Sequence, residues 1–276
     1  MTNFTVGAGD STYQVIHPFG TLPPGMERGR IRHVAVDSQD RIYVYRIGDP
    51  PVLVFDTDGN FLTGWGAGVI ADAHGICISP QDEIFAADRD SHEVLKLNTE
   101  GKILMRLGQR GRPAFQAPFN HPADVAVSPT GDLFVADGYG NSTVHRFSAE
   151  GKHLSTWGTP GAGPGQFSTP HGIWVGPDQR VYVCDRENNR VQLFSPEGDF
   201  ITQWTDFSHP MDIWMNTQGR VFVTDQVPRL SVLDQQGVLL GRGKTIVDLP
   251  HGVWGDSMGN IYTASTTMGV TKYLKL

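Results

Sequence analysis

The chain has 276 residues and a formal net charge of −7, and its 33 glycines and 18 prolines favour strands and turns over long helices. It contains no basic run and no basic stripe with interleaved aromatics, so we expect no nucleic-acid partner. No apolar stretch approaches the length of a membrane span, so we expect no membrane partner. The first residues, MTNFTVGAGDSTYQ, have neither a basic nor an apolar signal-peptide segment, which predicts a cytoplasmic protein.

Short apolar strands and polar turns recur along the chain in six similar units. In chain order the units begin at HVAVDSQDRIYVYR, HGICISPQDEIFAADR, DVAVSPTGDLFVADGY, HGIWVGPDQRVYVCDREN, DIWMNTQGRVFVTDQ and HGVWGDSMGNIYTAS. One aligned position is occupied by His33, Gly75, Asp124, Gly172, Asp212 and Gly252, at intervals of 40 to 49 residues. A period in this range, with about four short strands per unit, is the signature of a β-propeller blade. The sequence therefore predicts one all-β domain, residues 1–276, folded as a six-bladed β-propeller.

The two ends of the chain indicate how the ring closes. The sixth unit ends after its third strand, GVTKYLKL, and residues 12–16 have strand character ahead of the first unit. We predict that this N-terminal strand forms the outer strand of the last blade, because an open ring would leave unpaired sheet edges. Residues 158–167 (GTPGAGPGQF) are interpreted as an interblade loop, with a mobile lid as the alternative. Cys77 and Cys184 are interpreted as buried small apolar residues and not as a disulfide.

Alternate units carry a histidine followed by glycine at the start of the first strand. These histidines are His74, His171 and His251, in units two, four and six. In a six-membered ring the three imidazoles would lie about 120° apart and converge at one mouth of the channel. Three imidazoles form a natural site for a divalent metal with an open coordination position, and imidazole suits zinc and several other divalent ions, among which the histidines alone do not choose. The alternative, a polar channel or turn residue without a ligand, is the interpretation we give to His33.

Polar residues at the ends of the second strands are expected at the same mouth, because adjacent strands run antiparallel. They include Arg46, Arg89, Tyr139 and Arg186. The acidic residues that end several second strands are interpreted as structural acceptors for N–H groups of the following turn: Asp88, Asp137, Asp185 and Asp225.

Asp124 and Asp212 take the aligned position that is glycine in the histidine-bearing units. We expect them to face the channel and to be available as partners for the histidine N–H groups. Arg89 is grouped with them as a residue of the channel mouth.

The units resemble NHL-type propeller repeats over nearly the whole chain. Within that class, DVAVSPTGDLFVADGYGNSTVHRFSAEGKHLSTWG, GPGQFSTPHGIWV and VYVCDRENNRVQLF resemble the lyase domain of peptidyl-α-hydroxyglycine α-amidating lyases. The resemblance implies a six-bladed propeller that holds zinc through three histidines and cleaves the C–N bond of an α-hydroxyglycine, giving an amide and glyoxylate. The matching histidines are His74, His171 and His251. The resemblance further implies an active-site tyrosine at Tyr139 and arginines at Arg186 and, from the first blade, Arg46.

The chain departs from that family at several positions. Gly252 stands where the family has an aspartate associated with a structural calcium, so a calcium ion is not supported here. Leu249 replaces a methionine before the third histidine, and Gly140 replaces a cysteine. The sequence contains no monooxygenase domain and no secretion signal. The resemblance thus supports the catalytic residues better than a peptide-hormone substrate.

Together these features predict a small or short peptide-like substrate, R–CO–NH–CH(OH)–COO⁻. Its hydroxyl would be activated at the three-histidine metal, with Tyr139 as base and Arg46 or Arg186 binding the carboxylate. Two alternatives remain open on the sequence alone. The same centre is suited to metal-dependent hydrolysis or hydration, and NHL-type propellers also serve as non-enzymatic binding modules.

Overall fold

A computed structural model describes residues 4–276, and in it the chain forms an all-β, six-bladed propeller. Five blades are four-stranded antiparallel sheets whose strands follow one another in chain order. Blade 1 comprises β3 Arg30–Val36, β4 Ile42–Ile47, β5 Val52–Phe55 and β6 Phe61–Trp65. Blade 2 comprises β7 Ala73–Ile78, β8 Ile84–Asp88, β9 Glu93–Leu97 and β10 Ile103–Gly108. Blade 3 comprises β11 Asp124–Val127, β12 Leu133–Asp137, β13 Thr143–Phe147 and β14 His153–Trp157. Blade 4 comprises β17 Pro170–Val175, β18 Val181–Asp185, the 3₁₀ turn Arg186–Asn188, β19 Arg190–Phe194 and β20 Phe200–Trp204. Blade 5 comprises β21 Pro210–Met215, β22 Val221–Asp225, β23 Arg229–Leu233 and β24 Leu239–Lys244.

The sixth blade joins the two ends of the chain, as predicted. It comprises β25 Pro250–Gly255, β26 Ile261–Ser265 and β27 Gly269–Lys275, followed in the sheet by β2 Ser11–Phe19 and β1 Thr5–Ala8. β2 runs antiparallel to β27, with Val15 opposite Tyr273. The pairing covers the inner edge of β2 and the outer edge of β27, so the ring closes through main-chain hydrogen bonds.

Burial decreases from the channel outwards. The second strands of the blades are buried along their whole length, since blades pack against both of their faces. Their β-branched and aromatic residues suit strands that are buried on both faces. The outermost strands are far more exposed: only Trp204 of β20 is buried. Cys77 lies in the first strand of blade 2 and Cys184 in the second strand of blade 4, and both are free and buried, as predicted.

The acidic residues at the ends of the second strands do hold the fold together, but through different partners from those predicted. Asp88 accepts hydrogen bonds from the backbone N–H groups of Ala71 and Asp72, and Asp185 accepts one from Ser168 N–H. These donors lie ahead of the first strand of the same blade and not in the following turn. Each carboxylate therefore fixes the point at which its first strand begins, two or three residues before a channel histidine.

Residues 158–167 connect blades 3 and 4. Two short strands, β15 Thr159–Pro160 and β16 Gln166–Phe167, pair in parallel within this connection. Phe167 is fully buried and anchors the far end of the loop in the core between the blades. In the described part of the chain no helix is long and apolar enough to cross a membrane.

Candidate metal centre and active site

β-Bulges at the starts of the first strands place the three histidines. The pairing of β7 with β8 is irregular between Ala73 and Ile76, and β17 and β25 show the same irregularity around His171 and His251. A bulge frees one or two residues from the ladder and turns their side chains in a new direction. Here the freed residues are the histidines, which turn into the channel and are almost fully buried.

The three imidazoles meet at one point. Their ring centroids are 4.8 to 5.0 Å apart, and one nitrogen of each ring lies within 4.8 Å of the others. No water molecule fits in the cavity lined by these rings. The sequence prediction that His74, His171 and His251 converge therefore agrees with the geometry.

Backbone carbonyls orient two of the rings. His74 donates from Nδ1 to the carbonyl of Ala123 at 2.7 Å, and His171 donates from Nδ1 to the carbonyl of Met211 at 2.6 Å. A carbonyl only accepts, so Nδ1 carries the proton and Nε2 presents its lone pair to the centre. Carboxylates had been expected in this role. The residues immediately before Asp124 and Asp212 take it instead.

The three imidazoles are uncharged and can therefore serve as metal ligands. Burial lowers the pKa of all three imidazoles well below the usual value, and repulsion from neighbouring imidazoles and arginines lowers it further. The rings are therefore neutral, and their Nε2 lone pairs face one another at short range. His251 is buried with a backbone contact to Arg32, and neither of its ring nitrogens makes a hydrogen bond of regular geometry. A donor set of three neutral imidazole nitrogens fits a divalent metal such as zinc.

Asp124 and Asp212 face the same cavity, as predicted, and they hold the histidine strands through the backbone. Asp124 accepts a hydrogen bond from Ile173 N–H at 3.1 Å, and Asp212 accepts one from Val253 N–H at 2.7 Å. Each of these donors lies two residues after a channel histidine. The carboxylates thus fix the strand that carries the histidine and do not contact its ring nitrogen through a hydrogen bond.

The glycine after each histidine makes room for the neighbouring blade. A Cβ on Gly75 would lie 2.2 Å from Asp124 Oδ1, and a Cβ on Gly172 would lie 2.7 Å from Asp212 Cα. A Cβ on Gly252 would lie 3.0 Å from His33 Cα. The His-Gly pairs of the sequence are therefore a packing requirement of the channel. Because position 252 has no side chain, it contributes no carboxylate, and the calcium ligand implied by the family resemblance is absent at this position.

Tyr139 follows β12 and reaches the centre of the group. Its hydroxyl lies 3.0 Å from His74 Nε2 and 3.1 Å from His171 Nε2. Arg186 donates from Nη1 to the same oxygen at 3.2 Å. The Arg89 and Arg186 guanidinium carbons lie 5.0 and 5.3 Å from the centre of the tyrosine ring. The phenol oxygen is thus adjacent to two candidate metal ligands and to an arginine.

Acidic side chains partly balance these two arginines. Arg89 pairs with Asp72 at 2.7 Å and with Asp90 at 3.0 Å. Arg186 pairs with Glu187 at 2.8 Å while it also contacts Tyr139. Arg186 therefore combines a structural ion pair with a contact to the site.

Arg46 does not have the position that the sequence predicted for it. It is fully buried, and its guanidinium donates to the carbonyls of Pro50 at 2.9 Å, Asp49 at 3.0 Å and Glu27. These carbonyls belong to the turn that follows β4 and to the segment before β3. All three nitrogens of the guanidinium are engaged with the backbone, so Arg46 is a structural residue and does not bind a carboxylate.

Arg32 is the blade 1 arginine that shares the site. The pairing of β3 with β4 is irregular between Ile31 and His33, so Arg32 occupies the bulge position that holds the histidine in blades 2, 4 and 6. Burial lowers the pKa of Arg32, and Arg89, Tyr139 and Asp72 lie close enough to act on its charge. Its Nε is buried without a hydrogen-bond partner. The repeat alignment could have identified Arg32, because Arg32 precedes His33 in the column that holds the channel histidines of the other blades.

Known proteins share the repeat and the general architecture. Residues 119–147 and 167–194 match the NHL repeat. NHL repeat-containing protein 3 of Mus musculus is 32% identical over 221 residues, covering 72% of this chain and 63% of that protein. A gluconolactonase of Xanthomonas campestris has the same fold, with a TM-score of 0.71 at 15% identity over 97% of this chain and 91% of its own.

Two further relatives are named for amidation chemistry. A probable peptidyl-α-hydroxyglycine α-amidating lyase of Caenorhabditis elegans is 35% identical over 161 residues, covering 55% of this chain and 46% of that protein. The peptidylglycine α-amidating monooxygenase of Rattus norvegicus is 28% identical over 283 residues, covering 85% of this chain. The match spans only 29% of the rat protein's length.

Fold and repeats together define the chain as an NHL-repeat, six-bladed β-propeller. Within that class it resembles the peptidyl-α-hydroxyglycine α-amidating lyases.

Proposed function

We propose that the protein is a metal-dependent lyase that cleaves the C–N bond of an N-acyl-α-hydroxyglycine or a related carbinolamide. The products would be an amide and glyoxylate, or a related aldehyde acid. The observation that carries the proposal is the position of the Tyr139 hydroxyl, within hydrogen-bond distance of two of the three converging histidines and of Arg186. A proton acceptor beside a metal centre and a carboxylate-binding arginine is the set of groups that this reaction requires.

His74, His171 and His251 are the residues that would hold the metal through Nε2. A divalent ion bound there supplies Lewis acidity, which makes a neighbouring hydroxyl easier to deprotonate. The carbonyls of Ala123 and Met211 keep two of the rings in the tautomer that this binding needs.

Arginines would bind the carboxylate of the substrate. Arg32 is the strongest candidate, since it extends from the ring of bulge positions and forms no ion pair with an acidic side chain in the described part of the chain. Arg186 contacts the tyrosine and is held by Glu187, so it suits a role beside the reacting atoms. A planar guanidinium binds a carboxylate through two parallel hydrogen bonds and thereby fixes the orientation of the α-carbon.

The proton transfers follow from the position of Tyr139. As a phenolate stabilised by the Arg186 guanidinium, Tyr139 would take the proton of the substrate hydroxyl, and the resulting phenol would later return this proton to the departing nitrogen. The C–N bond then breaks as the C–O bond becomes a carbonyl. The bonding electrons stay on nitrogen, which receives the proton held by Tyr139, so the amide and the aldehyde acid leave without consumption of water and the phenolate is regenerated.

The test uses N-benzoyl-α-hydroxyglycine with zinc-reconstituted protein in ¹⁸O-labelled water. Lyase chemistry predicts equal amounts of benzamide and glyoxylate, and the glyoxylate carbonyl, trapped at once as a hydrazone, keeps the unlabelled oxygen of the substrate. Label in a product at early times would favour the hydrolase alternative. No turnover of this substrate or of ureidoglycolate, with zinc bound, would favour the binding module. His171→Ala serves as the control without an intact centre.

A further inference from the structure

A second group of potential ligands lies directly next to the three histidines. Its members are His33, Asp124 and Asp212, from blades 1, 3 and 5. Each of them follows the bulge position of its blade by one residue. Their blades alternate around the ring with the blades that carry His74, His171 and His251. One ligand atom of each lies within 4.8 Å of the others, and all three side chains are at least nine-tenths buried.

The group holds two carboxylates and one imidazole, and one carboxylate oxygen has no hydrogen-bond partner. Asp124 Oδ1 is buried without a hydrogen-bond partner. His33 Nε2 lies 2.9 Å from Asp212 Oδ2 and pairs with that carboxylate, which leaves Asp124 without an ion-pair partner of its own. Two carboxylates thus face one imidazole, and neither has an arginine or lysine ion-pair partner in the described part of the chain. Buried carboxylates of this kind are costly unless a cation or a proton compensates them.

The surrounding space limits what the compensating group is. No water molecule fits in the cavity lined by this group and the three histidines. Burial raises the pKa of the Cys77 and Cys184 thiols, which lie close enough for Asp124 and Asp212 to raise it further, and they bring no positive charge. The choice is therefore between a bare metal ion held directly by the side chains and protons shared among them.

We propose that His33, Asp124 and Asp212 form a second cation site, specific for a divalent transition ion such as Mn²⁺ or Zn²⁺. One imidazole nitrogen and two carboxylate oxygens suit these ions better than they suit an all-oxygen binder such as calcium. The site differs from the calcium site implied by the family resemblance, which depends on a carboxylate at position 252. An ion here would tie three alternate blades together at the channel, and the proposal does not depend on lyase activity.

The test measures metal content by mass spectrometry after the protein is loaded with Zn²⁺ or Mn²⁺ and desalted. The matched variants are His171→Ala, which breaks the three-histidine group, and Asp124→Asn, which keeps the acceptor for Ile173 N–H but removes a charge. We expect about two equivalents in the wild type, about one in each variant and none in the double variant. Mn²⁺ should raise the thermal midpoint of His171→Ala but not that of the double variant.

The outcomes separate this proposal from the proposed function. One equivalent in the wild type that survives Asp124→Asn and disappears in His171→Ala would overturn the second site and leave protons as its occupant. One equivalent that survives His171→Ala and disappears in Asp124→Asn would support the second site and remove the metal from the lyase mechanism.

Discussion

Substitution of Gly172 by alanine tests how closely the two layers of the channel depend on each other. The new Cβ would lie 2.7 Å from both Met211 O and Asp212 Cα, well inside van der Waals contact. The backbone of Gly172 is not in the left-handed region, so the effect is steric. Overpacking of this kind costs about 1–3 kcal/mol of stability. Met211 O is also the acceptor for His171 Nδ1, so its displacement loosens that ring.

When a metal-binding histidine loses the hydrogen-bond partner of its other ring nitrogen, metal binding weakens by roughly 10- to 100-fold. The assays are urea unfolding of metal-free protein and zinc affinity of the histidine group by competition with a chromophoric chelator. Gly7→Ala is the matched control, because no atom lies within 4 Å of its Cβ. It should change stability by less than about 0.5 kcal/mol. Wild-type stability and zinc affinity in Gly172→Ala would refute the packing argument.

Three further predictions concern single side chains. Tyr139→Phe should reduce turnover of N-benzoyl-α-hydroxyglycine by roughly 100-fold or more with unchanged zinc content, and near-normal turnover would remove Tyr139 from the role of base. Arg32→Gln should raise KM for this substrate by at least about 10-fold through loss of a charged hydrogen bond, whereas Arg46→Gln should destabilise the fold by at least about 2 kcal/mol through unpaired carbonyls. A raised KM in Arg46→Gln, together with an unchanged KM in Arg32→Gln, would instead place Arg46 in the site. In metal-free protein burial lowers the pKa of His33, but Asp212 outweighs burial and raises it to about 9. Because the folded-state pKa lies above the unfolded value, protonated His33 stabilises the fold fully below about pH 6.5. Roughly 3 kcal/mol of the free energy of unfolding should be lost as the pH rises from about 6.5 through 9. Urea unfolding of wild type and His33→Gln across this range checks the sign; equal slopes would contradict it.

The architecture was predictable because repetition multiplies weak signals. A single strand such as Ile84–Asp88 is ambiguous in isolation, but six copies at similar spacing define blades and place their starts. The convergence of the three histidines follows from their presence in alternate copies. The closing strand followed from the missing fourth strand at the C-terminus.

The residues that were placed wrongly depend on features that the sequence does not display. A bulge shifts the side chains of one strand relative to the next, and this shift selects Arg32 for the site. Arg46 does lie near the end of a second strand, β4, but the turn after this strand presents carbonyls to the guanidinium. The anchors of His74 and His171 are backbone carbonyls, which have no signature in the sequence, so the neighbouring carboxylates looked like the partners.

Anomalous diffraction at the zinc edge, from crystals of protein loaded with one equivalent of Zn²⁺, would test the central claim most directly. The account predicts a peak about 2.0–2.1 Å from the Nε2 atoms of His74, His171 and His251, with the Tyr139 hydroxyl beside it. The peak should be absent in His171→Ala. Bound zinc with no peak among these three nitrogens would contradict the account of the site.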